Sequence, residues 1–200
     1  MPRRTFDLIV SSAGLLIAAI LIIAGSLLTW GYNYVGDQVH NQLAAQQIFF
    51  PSAAAFKNAK PGTEITPAMR PYLERYAGQQ LLSGPQAEAY ADHFIALHLQ
   101  RIGGGKSYAQ LSGESLANPN DRALAATVQT MFQGTTLRGL LLEAYAFATI
   151  GSLAGWGAVL AFCGAFLLVV LTGLGVLHAR RVAPEDELFA ARATKRSEVA

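Results

Sequence analysis

Apolar positions gather near the two ends of the chain, and polar ones fill the middle. The first apolar run, Leu8 to Thr29, is broken only by Ser11, Ser12, Gly14, Gly25 and Ser26. About 20 such residues cross a bilayer as a helix. The second run, Ala144 to Leu177, has no charged residue between Glu143 and His178. This pattern predicts an all-α fold: two long antiparallel transmembrane helices that extend into an extracytoplasmic helical domain. Residues 1–7 form a cytoplasmic N-terminus, 8–31 the first span and 32–146 the outer domain. Residues 147–178 form the second span and 179–200 a cytoplasmic tail. A cleaved signal peptide is the rival reading of the first run, with Arg3 and Arg4 as its positive region. A signal core is only about 7–15 residues, and this run is longer. Two spans within 144–178 would need about 40 residues and a turn. Gly155-Trp156-Gly157 therefore marks a kink or the interface level.

Between the runs the pattern switches to amphipathic periods. Val35, Val39 and Leu43 recur every four residues, followed by Ala44 and Ile48, while Asp37, Gln38, Asn41, Gln42 and Gln46 fill the other face. This period predicts that the first span continues outward as a helix until Pro51 ends it. Pro51 to Thr66 reads as a loop. Thr66-Pro67 starts a helix to about Leu82, with Pro71 limiting its regularity. Ser83-Gly84-Pro85 starts another, which Gly103-Gly104-Gly105 stops. Ser107 with Gln110 has the spacing of a capping box, opening a short helix that ends before Pro119. Arg122 to Phe132 reads as a separate helix. Thr135 or Thr136 then caps the second long rod, residues 137 to 178. A further helix at about Glu185 to Thr194 would lie near the membrane surface.

Charge orients the spans. Arg3 and Arg4 precede the first, and Arg180 and Arg181 follow the second. The positive-inside rule then puts both termini in the cytoplasm of a plasma-membrane protein. Trp30, Tyr32 and Tyr34 fit an interfacial aromatic belt. Residues 32–146 carry eight Lys and Arg against eight Asp and Glu, which leaves no pull on an anionic polymer, so no nucleic-acid partner is expected. Only 14% of the whole chain is charged and 52% is hydrophobic, against about 25% charged in an ordinary soluble domain.

Candidate chemistry is sparse. His93 and His98 are five apart, about 140° around a helix, whereas a zinc-binding helical pair is spaced at four. Glu88 and Asp92 share a face but read as a solvated pair. Gly103-Gly104-Gly105-Lys106-Ser107 lacks the first glycine of a phosphate loop. Cys163 falls at mid-membrane depth. No catalytic residue, metal ligand or cofactor site is assigned. Glu143, among apolar neighbours, reads as a buried carboxylate needing a partner, with Arg138 as the second buried polar candidate. Small residues stripe both spans: Gly14 and Ala18 in the first, Gly151, Gly155, Gly157, Ala161 and Ala165 in the second. Such stripes let helices approach closely, either within one chain or against another membrane protein.

The stretches Ala91-Asp92-His93-Phe94-Ile95-Ala96-Leu97-His98-Leu99 to Ile102-Gly103-Gly104-Gly105-Lys106-Ser107-Tyr108, and Phe132-Gln133-Gly134-Thr135-Thr136-Leu137-Arg138-Gly139 to Tyr145, carry a resemblance. They resemble an uncharacterised family of two-span membrane proteins from actinobacteria, mycobacteria included. Its members often bear an automatic name as ring-opening dioxygenases. The four histidines assemble no non-haem iron site, so the residues do not support that name. The resemblance implies a plasma-membrane protein. Two functions are expected from these readings. One is a non-enzymatic accessory subunit of a larger cell-envelope complex, such as a lipid-import transporter or respiratory assembly, docking on another integral membrane protein among membrane lipids. The other is a self-contained protein that binds a lipid or hydrophobic ligand.

Overall fold

The computed structural model describes residues 3–181. These form helices, with no strand among them and one isolated bridge between Phe49 and Gln80. Two helices are long and apolar enough to cross a membrane: α1, Arg3–Ala45, and α7, Arg122–Arg181. The shorter elements between them are α2 (Ala53–Lys57), α3 (Arg70–Leu73), α4 (Gly84–Tyr90), α5 (Ala96–Ile102) and α6 (Tyr108–Ala117). The chain divides into two compact units. One holds the residues up to Tyr32 and those from Leu153 onward, and the other holds Asn33–Ser152.

In the first unit the small residues form the inner faces of α1 and α7. Ser11, Ala18 and Gly25 are buried on α1, and Ala158, Ala165 and Ala179 on α7. Buried and half-buried positions recur three and four apart on both, at 11, 14, 18, 21, 25 and 28, and at 154, 158, 161, 165, 168 and 172. This is the 3.5-residue period of supercoiled helix pairs. A side chain added at Gly14 would meet Thr172, and at Gly25 it would meet Phe162. One at Gly155 would meet Tyr32, at Gly157 Leu28, at Gly164 Leu21 and at Gly175 Ser11. The outward faces carry large apolar groups such as Leu16, Ile23, Leu27, Leu160, Phe166 and Leu167. Ser26 and Thr29 donate to the carbonyls of Ile22 and Gly25, both at 2.8 Å, so their hydroxyls need no water. Cys163 is on the outward surface rather than in the packed face.

Predicted stripe residues Gly14, Ala18, Gly155, Gly157, Ala161 and Ala165 thus belong to the packed or flanking faces of this helix pair, and Gly151 is buried in the other unit. The stripe also includes Ala158 and Gly175, which pair with Ala154 and Ala179 at a spacing of four, and Ser11, Gly25 and Gly164, which a search for Gly and Ala at that spacing does not collect. A Gly155→Leu substitution is expected to lower the amount of protein in membranes. Its Cβ would be 3.0 Å from the Tyr32 ring, and overpacking costs about 1–3 kcal/mol. Ile22→Leu, at an outward position, should leave the level unchanged on the same immunoblot.

The second unit corrects several predicted elements. α1 ends at Ala45, not at Pro51, because Gln47 takes a left-handed φ of 51°. The chain beyond it bonds sideways: Phe50 N–H donates to the Gln79 carbonyl and Leu81 N–H to that of Ile48, both at 2.9 Å. The predicted loop after Pro51 holds α2, capped by the Ser52 side chain. The predicted helix from Thr66 to Leu82 is instead three short turns, Pro67–Met69, Arg70–Leu73 and Glu74–Tyr76, ended by Gly78 at φ +70°. The predicted helices 122–132 and 137–178 are one element, α7. Asp121 caps it, accepting from Leu124 N–H at 2.9 Å. Gly134 does not stop this helix. Its missing side chain makes room for Leu99, whose Cδ2 would be 2.5 Å from an added Cβ. α7 also runs unbroken through Gly155-Trp156-Gly157. The expected helix at 185–194 lies outside the described residues.

The core of this unit gathers Val39 and Leu43 of α1, Phe50, Phe56, Ile65, Met69, Leu73 and Leu81 of the connecting turns, Ala87 to Ile95, and Leu141 of α7. The expected capping box at Ser107 and Gln110 is present, with bonds of 3.3 and 2.8 Å. A second one joins Ser83 and Gln86. Gln86 is 8% exposed. Its amide oxygen accepts from Leu82 and Ser83 N–H, and its amide nitrogen donates to Gln79, so its burial leaves no bond unmade.

Candidate functional site: a groove between the α1 extension and α7

Within the Asn33–Ser152 unit, α1 and α7 leave a groove of about 440 Å³. Its apolar walls are Val35, Val39 and Leu43 from α1, and Leu137, Leu140, Leu141 and Phe147 from α7. The same four-residue period that marks Val35, Val39 and Leu43 in the sequence puts them on one face. Gln38, Gln42 and Gln46, also four apart, line the groove as a row of carboxamides. Tyr34 and Glu143 complete the polar lining. The volume lies within the range of about 300–1,000 Å³ typical of small-molecule sites, as does the mostly apolar lining with a few polar groups.

The two buried polar candidates separate here. Glu143 is exposed on the groove and makes no hydrogen bond or ion pair among the described residues. Of its apolar sequence neighbours, Leu140, Ala144 and Phe147 line the same groove, yet the carboxylate is open to solvent rather than buried. Arg138 turns away from it, since five residues place them about 140° apart on a helix. The Arg138 guanidinium donates to Asp92 at 2.7 Å, and each side chain is more than a third exposed. Asp92, read in the sequence as solvated, is thus the true partner. The two lie 46 residues apart in the chain, and no local signal joins them.

Asp92 belongs to a π-helical segment, Ala91–Ile95, between α4 and α5. A π turn inserts one residue and rotates the helix beyond it, and such turns recur at functional sites. His93 stacks on Tyr72 with ring centroids 3.5 Å apart and planes 4° apart. Tyr90 stacks on Phe94 at 4.6 Å, and Phe94 meets His98 at 4.4 Å with the planes tilted by 38°. His98 Nδ1 donates to the Phe94 carbonyl at 2.7 Å. His93 and His98 are thus both held by aromatic packing. Burial raises the Tyr90 phenol above its ordinary pKa, with the Glu64 carboxylate adding to the effect. Among the described residues no three His, Cys, Asp or Glu side chains gather as metal ligands.

The glycine run also has a structural role. Gly104 and Gly105 take φ of +59° and +83°, and Gly105 N–H donates to the Gln100 carbonyl at 2.8 Å. This is a helix stop of the kind glycine allows. Lys106 bonds Glu114 at 2.7 Å. Of the residues that form the groove, the sequence pattern singles out Val35, Val39, Leu43 and Glu143. It places Gln38, Gln42 and Gln46 on a solvated face. Their matching period beside the apolar one was the available signal. Compared with models of protein families, with curated proteins and with solved structures, the chain matches none.

Proposed function

We propose that the chain is a two-span plasma-membrane protein that holds a hydrophobic ligand in the groove of its outer helical unit. Both termini are cytoplasmic and the Asn33–Ser152 unit faces outward. The groove carries this reading: an apolar slot with a polar row, larger than the cavity of about 240 Å³ beside Met69 and Leu97 in the same unit. The placement of Arg3, Arg4, Arg180 and Arg181 supports the orientation. The contacts from Ser11 with Gly175 to Tyr32 with Gly155, in which one number rises as the other falls, support an antiparallel hairpin. The protein acts by binding, without catalysis, metal or cofactor.

A second reading is the accessory subunit of a larger cell-envelope complex, in lipid import or respiration. The outward apolar residues of α1 and α7 favour it, since they could meet another membrane protein as well as lipid. The small-residue stripes lend it less, because they are occupied within the chain.

The test is mass spectrometry of lipids and proteins that co-purify with the full chain in mild detergent, beside Leu140→Trp, which fills the groove. A hydrophobic molecule held by the unaltered chain and lost from the variant is the expected result. Retention by both, or a stoichiometric partner protein with no such molecule, would overturn the ligand reading.

A further inference from the structure

We infer that the groove selects single-chain amphiphiles with a cationic ammonium head over those with an anionic phosphate or sulfate head. This rests on the reading of the groove as a ligand site. The shape argues for one extended chain. From Tyr34 to Gln46 α1 rises about 18 Å at 1.5 Å per residue. Along that length the walls are apolar, with Val35, Val39 and Leu43 on one side and Leu137 and Leu140 on the other. Methylene groups in single file, touching walls at about 3.5–4.0 Å, fit.

Charge selects the head. Glu143 is the one acidic or basic side chain in the lining, and no Lys or Arg is there to meet an anion. Arg138 is engaged by Asp92. Phe147 is four residues from Glu143 and shares its helix face, and Tyr34 lines the same groove. A carboxylate that shares a groove with aromatic rings suits an ammonium, through charge and cation–π attraction. Gln38, Gln42 and Gln46 offer hydrogen bonds to a neutral linker but no charge.

The experiment places the full chain in phosphatidylcholine nanodiscs with three photoactivatable hexadecyl probes. These share a tail and carry a trimethylammonium, a sulfate or a hydroxyl head. Cross-linked peptides are mapped by mass spectrometry. The ammonium probe should mark peptides from 34–46 and 137–147 about tenfold more than the sulfate probe. Glu143→Gln should bring the two level while the hydroxyl probe is unchanged. Leu140→Trp should remove groove cross-links from all three. Equal or stronger marking by the sulfate probe in the unaltered chain would overturn the head-group inference and leave the groove reading standing. No groove cross-link from any probe would overturn the groove reading itself.

Discussion

Gly84→Leu is expected to unfold the Asn33–Ser152 unit. Gly84 opens α4 where that helix meets α7. A Cβ there would fall on the Ala148 methyl, within 3.4 Å of the Tyr145 Cα and 3.7 Å of the Ala144 carbonyl. Two of these are backbone atoms inside a 60-residue helix, so they cannot turn aside as a side-chain tip can. Overpacking of a flexible site costs about 1–3 kcal/mol, and this one has less room to give. Thermal unfolding of the purified chain, followed by circular dichroism, should begin at a clearly lower temperature. Gly139→Ala is the counterpart. It lies in α7 with nothing near the added Cβ, and replacing a mid-helix glycine gains about 0.5–1 kcal/mol. Equal melting of the two variants would refute the packing of α4 on α7.

Phe56→Ala should cost about 3–5 kcal/mol, the usual range for emptying a buried aromatic site. Phe56 is fully buried although α2 is only five residues long. Burial of this one ring holds a helix too short to persist alone. The groove walls Val39, Leu43 and Leu141 belong to the same core, so the variant should also loosen the groove. Denaturant titration with a solvatochromic apolar dye checks both. A stability loss below about 1 kcal/mol would show that α2 does not lock the core.

The long helices were legible because uninterrupted apolar runs have few other outcomes in 200 residues. The Ser107 capping box was legible because its chemistry is local. The π segment was not. Ala91 to Ile95 reads as ordinary helix, and the partner of Asp92 in this segment, Arg138, lies 46 residues away. Two predicted helices merge into α7 because Thr135 and Thr136, read as a cap, lie inside it, and Gly134 beside them is a socket for Leu99. Glu143 shows the limit of reading burial from neighbours in sequence. Leu141 is buried while Glu143, two residues on, is exposed, because a helix turns about 200° in that step. The inner stripe was found only in part, since Ser11 and Thr172 do the work of small residues without being Gly or Ala.

We propose that the groove-bearing unit stands outside a membrane crossed twice. Single cysteines at Asn58, which is exposed, and at Ser197 test it in a Cys163→Ala background, using a membrane-impermeant thiol reagent on intact cells. Asn58→Cys should label at once, and Ser197→Cys only after permeabilisation. Labelling of Ser197→Cys with protection of Asn58→Cys, or equal labelling of both in intact cells, would rule out this placement.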